Sequence, residues 1–186
     1  MKNNKNNNII GWLIFSFLVL LIYFIYPDAF SAKAIVDFIK KYDNYILPIY
    51  IFIFLLRSFT LIPNTPFVIA GTLLFPKSPF LVLFISVFCI SLSSLIIYYF
   101  SELLGFDKFF KNKYPYKMEA IKKKLDNKYG LLFIITWAFL PFAPTDLVCY
   151  ASGILKINIF VLLSGIILGE LPICYFYIFS FKHLGF

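Results

Sequence analysis

The chain has 186 residues, of which 61% are apolar and only 14% charged, a balance that excludes an ordinary soluble globular domain and makes lipid the solvent for most of it. Twenty-five Phe and thirteen Tyr suit a lipid-facing surface with interfacial anchors. The net charge of +8 does not mark a nucleic-acid partner, because the lysines lie between apolar segments rather than on one face of a domain.

The first 27 residues read as an amino-terminal transmembrane helix, with MKNNKNNN followed by the apolar run Ile9 to Tyr26. Ala29 and Ser31 offer a conceivable leader-cleavage site. The run is nevertheless longer than a leader's apolar core, so an uncleaved first span is expected. Residues 28–44 read as an interfacial amphipathic helix, with Ile35, Ile39 and Tyr42 on one side and Lys33, Asp37, Lys40 and Lys41 elsewhere.

Residues 45–105 form a first unit, in which the apolar region Tyr45 to Phe75 is broken at Ile62-Pro63-Asn64-Thr65-Pro66 and followed by the span Phe80 to Phe100. Arms of roughly 10 to 17 residues reach about 15 to 25 Å as helix, mostly short of a hydrocarbon core of about 30 Å, so a re-entrant helical hairpin is predicted. Residues 106–128 are a basic cytoplasmic segment containing a second surface helix, with Met118, Ile121 and Leu125 on its apolar side. Residues 129–186 repeat the first unit: Tyr129 to Leu155 breaks at Pro141 to Asp146, and the span Ile159 to Phe181 follows.

The two units share an order. Pro63 is followed by Gly71 and Pro144 by Gly153, and each unit closes on a Y-x-F-S element and a terminal L-G, at Tyr98 to Gly105 and Tyr177 to Gly185. Eight Lys against three acidic residues in 106–128 (net +5), against a net of zero in 28–44, put the amino terminus and the basic segment on the cytoplasmic side. The hairpins then enter from opposite faces. The predicted fold is thus an all-α membrane protein, an inverted repeat of re-entrant hairpin plus transmembrane helix, with a first span and interfacial helices added.

A charge inside an apolar segment costs about 2.5 to 3.5 kcal/mol on insertion scales, so Arg57, Glu102, Asp146 and Glu170 each need a partner or a cavity. Arg57 and Asp146, on opposite hairpins, are positioned to pair or to face one cavity if the tips meet. The alternative is that each snorkels or satisfies broken backbone. Thr65 with Pro66, and Thr145 with Asp146, read as helix starts whose free N–H groups would favour an anionic group such as a lipid phosphate, a field that Asp146 partly offsets. With Asn64 in the first tip, these residues outline a substrate or ion pathway, and a protonatable Asp146 or Glu170 would couple it to protons. Simple helix breaking by Pro63, Pro66, Pro141, Pro144 and Pro172 is the competing account.

Gly165 and Gly169 form a G-x-x-x-G, and Ser91, Ser93 and Ser94 supply further small residues. Both favour close helix packing, within the chain or in a homo-oligomer. Cys89, Cys149 and Cys174 have no metal-ligand or disulfide spacing and read as small buried residues. With one histidine, His183, and no HExxH, GxSxG or Walker pattern, no enzyme, metal or cofactor is expected.

The stretch WAFLPFAPTDLVCYASGILKINIFVLLSGIILGELPICYFYIF resembles the second half of the VTT domain of the DedA superfamily, also labelled SNARE-associated Golgi protein-like. RSFTLIPNTPFVIAGTLLF with YYFSELLG resembles its first half, so that residues 45 to 182 are covered. The resemblance implies two re-entrant hairpins in inverted repeat and a multi-pass cell-membrane protein that translocates or scrambles a phosphate-bearing lipid, a phospholipid or polyprenyl phosphate. It carries over Pro63, Gly71, Pro144, Asp146 and Gly153. Where many relatives have an arginine three residues before the first proline of the second tip, this chain has Ala138, which leaves Arg57 as the only intramembrane arginine. A non-transporting scaffold acting through the basic segment, and a small proton-coupled exporter, are the alternative functions.

Overall fold

A computed structural model describes residues 2–106, 110, 113–125, 128–141 and 143–183. The described residues are helical with no strand: α1 (Lys2–Ile25), α2 (Ala32–Ile39), α3 (Ile46–Arg57), α4 (Thr65–Leu74), α5 (Pro79–Leu103), α6 (Pro115–Leu125), α7 (Lys128–Ala138), α8 (Thr145–Leu155) and α9 (Ile159–His183).

Two helices are long and apolar enough to cross a membrane, Pro79–Leu103 and Ile159–Ser180. The expected first span is less complete, because the apolar part of α1, Ile9–Ile25, is shorter than these two. Along α1, α3, α5 and α9 large side chains such as Phe17, Phe24, Phe52, Phe84 and Phe160 stand exposed, more apolar surface than a water-soluble monomer presents.

Local sequence explains where the helices begin. Ser31 caps α2, its Oγ accepting from the Ala34 N–H at 3.2 Å. Pro66 and Pro79 sit in the first turns of α4 and α5, where a missing N–H costs no helical hydrogen bond. Pro172 does not break its helix as the competing account supposed: α9 runs through it, in keeping with one continuous span from Ile159. Of the predicted face of α2, Ile35 and Ile39 are buried, but Tyr42 lies past the helix end and is exposed.

The packing crosses between the two units. α5 lies against α8, α4 against α9, and the two long helices against each other. The buried stripe of α5 alternates Val82, Ile85, Cys89 and Ile97 with Ser86, Ser93, Ser94 and Ser101, so small residues admit the neighbouring helices. Gly165 and Gly169 do the same on α9: a Cβ at Gly165 would meet Ile134, and one at Gly169 would meet Ala138 and the Ile135 carbonyl. The G-x-x-x-G therefore packs within the chain, on α7. Gly169→Leu is expected to cost about 1–3 kcal/mol by overpacking, seen as a lowered unfolding temperature in detergent, while Gly11→Leu, with open space at its Cβ, should leave it unchanged.

Candidate functional site

The residues between α3 and α4, and between α7 and α8, lie against each other. The first turn tightens through a short helical turn at Ser58–Thr60 and then reverses at Leu61, a non-glycine residue with φ of 60°. A left-handed leucine is uncommon and strained, and it is held here by the contacts around it. The second turn ends at Pro144, whose carbonyl accepts from the Trp137 indole N–H at 3.3 Å.

Arg57 closes α3 and Asp146 lies in the first turn of α8. The Arg57 guanidinium donates to Asp146 through Nη1 at 2.9 Å and Nη2 at 3.4 Å, and both side chains are almost fully buried, at 3% and 4% exposure. This two-point geometry is the strong form of a carboxylate pair. Nη1 also donates to the Ile62 carbonyl at 2.5 Å, which ties the pair to the first turn, and the guanidinium lies over the Phe54 ring at 5.6 Å. Asp146 sits where the positive end of the α8 dipole further favours a carboxylate.

A second buried group adjoins it. Glu170 of α9 accepts from Asn64 Nδ2 at 2.6 Å and from the Thr145 hydroxyl, and Asn64 Nδ2 also reaches Thr145 Oγ1 at 3.4 Å. One residue from each turn thus meets on a carboxylate of the long helix. Asn64, Thr65, Pro141, Thr145 and Glu170 line a small recess there, with Ala138 on its wall.

The structure therefore gathers Arg57, Asn64, Thr145, Asp146 and Glu170, with Thr65 and the prolines Pro63 and Pro144 in or beside the turns. Three candidates fall elsewhere. Glu102 pairs with Lys156 at 2.8 Å, both about half-exposed. Gly71 lies against Tyr50 and Val82, and Gly153 against Ser101 and the Tyr98 carbonyl, so both glycines serve close packing. Neutralising the exposed pair by Glu102→Gln is expected to change stability by no more than about 1 kcal/mol, which chemical denaturation in detergent would register.

Sequence reasoning missed the Asn64–Glu170 link and the part played by Trp137. The signal for the first was present: a polar amide within a proline-rich break and a carboxylate within an apolar span both need partners. The three cysteines are buried and free, and among the described residues no cluster has the composition of a metal site.

A family model described as the VTT domain matches residues 62–183. The chain belongs to the VTT-domain family. The match runs from the first turn through both long helices, so it takes in Asn64, Thr145, Asp146 and Glu170, while Arg57 and the elements α1 and α2 lie before it. Comparison with curated proteins and with solved structures finds no match. Family and composition together make this a VTT-domain membrane protein of the DedA type.

Proposed function

We propose that this VTT-domain protein moves a phosphate-bearing lipid, phospholipid or polyprenyl phosphate, between the leaflets of the cell membrane, without enzymatic chemistry. In this reading α3–α4 and α7–α8 are re-entrant hairpins entering from opposite faces, α1, α5 and α9 cross the bilayer, and the amino terminus is cytoplasmic. The crossed packing of α4 on α9 and α8 on α5 is what an inverted repeat would produce.

The observation that carries the proposal is the buried Arg57–Asp146 pair, which joins two proline-broken turns 89 residues apart. Irregular backbone and paired charges at membrane depth are tolerated where protein or a cavity surrounds them, and they mark transport pathways. A guanidinium held by one carboxylate can exchange that partner for a lipid phosphate without being left unpaired. Glu170 meets only neutral donors in the same cluster, which supports proton linkage at that residue.

The test is purified protein in liposomes carrying a fluorescent lipid and an impermeant quencher, run across phosphatidyl and polyprenyl phosphate lipids. Loss of protection beyond that of empty vesicles is expected for at least one class. Protection equal to empty vesicles for all of them refutes lipid movement. Loss of the cellular phenotype on deleting residues 106–128, with lipid movement intact, would favour a scaffold instead.

A further inference from the structure

Arg57 has a second environment. It also lines an open cavity of about 700 Å³ bordered by α1, α2 and α3, the first turn and the start of α4, inside the range of about 300 to 1,000 Å³ typical of small-molecule sites. Its walls are mostly apolar, with Val19, Phe30, Ile35, Ile53, Leu56 and Phe67. Along such walls ordered water finds few of the two or more polar partners it needs. In a bilayer the matter at hand is a lipid chain.

Two charged features select among lipids. Asp37 and Lys41, four residues apart, also line the cavity, and neither is ion-paired among the described residues. They offer one site of each sign.

We propose that this cavity binds one zwitterionic glycerophospholipid as a resident ligand, with a chain between α1 and α3, the headgroup amine at Asp37 and the phosphate at Lys41. The chain by itself gains little by leaving the bilayer for an equally apolar cavity. Affinity and choice of headgroup therefore rest on the polar contacts. A lipid with a net negative headgroup is disfavoured by Asp37 and has nothing there to neutralise it. This site is separate from the question of which lipid crosses the membrane.

Native mass spectrometry of the full chain in detergent, after incubation with phosphatidylethanolamine, phosphatidylcholine or phosphatidylglycerol, tests the proposal. The zwitterionic lipids should be retained about tenfold better than phosphatidylglycerol, the difference that one satisfied polar contact makes. Ala34→Trp and, separately, Ile53→Trp fill the space and should abolish retention while the unfolding temperature holds. Asp37→Asn, at an exposed position, should reverse the preference toward phosphatidylglycerol even if a filling variant fails to fold. Equal retention of all three lipids by the wild type, retention undiminished in a folded filling variant, or an unchanged preference in Asp37→Asn would each overturn it. Retention without any translocation in the liposome assay would refute the transport reading and leave this site standing, and translocation without retention would do the reverse.

Discussion

Asp146→Ala lowers the unfolding free energy by about 3–5 kcal/mol, the cost of leaving a buried guanidinium without its counter-charge. The position allows little relief. Arg57 is nearly inaccessible, its Nη1 is drawn to the Ile62 carbonyl, and Leu61 next to that carbonyl is already in the left-handed region. The same substitution removes an acidic group from the first turn of α8, where it complements the helix dipole. Thermal unfolding in detergent, followed by size-exclusion chromatography, reads the loss.

The double substitution Arg57→Met with Asp146→Leu separates architecture from function. Removing both charges together takes away their desolvation cost as well as their attraction, so it should recover about 2–3 kcal/mol relative to Asp146→Ala. Lipid movement should stay absent, because an apolar pair offers nothing to a phosphate. A double variant as unstable as the single one would show that the pair is needed for folding itself. A stable double variant that still moves lipid would remove the pair from the pathway.

Much of this was legible before the structure. Arms too short to cross, broken by prolines, located both turns, and the polar residue beside each break fixed where α4 and α8 begin, at Thr65 and Thr145. Charges in apolar segments singled out Arg57, Asp146 and Glu170, because their burial demands partners, and the structure supplies partners to all three. Glu102 met the same criterion and proved different: it sits at the end of α5, where Lys156 and partial exposure satisfy it. Position along the helix, which composition does not weigh, decides between those outcomes.

The remainder needed three dimensions. Asn64 read as part of a helix break, yet its amide reaches a helix that begins far along the chain. Pro172 has the chemistry of a breaker but lies within 25 residues of continuous helix, where losing one hydrogen bond is tolerated. The small residues of α9 promised close packing without naming the partner, which is α7. Ala138 packs against Gly169, and a long side chain there would have to displace that contact. The cavity beside Arg57 is assembled from several separate elements, none of which announces it alone.

Glu170 supplies the other large effect. Glu170→Ala leaves the Asn64 amide and the Thr145 hydroxyl buried without their acceptor, a cost of about 1–3 kcal/mol, whereas Glu170→Gln keeps an acceptor oxygen of the same reach and should stay within about 1 kcal/mol of the wild type. Lipid movement divides the two roles the residue could have. If Glu170 only ties the turns to α9, the glutamine variant remains active, because the hydrogen bonds that matter survive. If it carries a proton or exchanges its partners with the passing headgroup, the glutamine variant is as stable as the wild type and inactive, since an amide cannot take up and release a proton in that place. Asn64 lies within the VTT match and on the opposite turn from Thr145, so Asn64→Ala should reproduce the stability loss of Glu170→Ala only in part, the Thr145 hydroxyl still being satisfied. Equal losses in all three variants would mean that the cluster acts as a rigid brace, and the route for a lipid phosphate would then have to be sought along the Arg57 face alone.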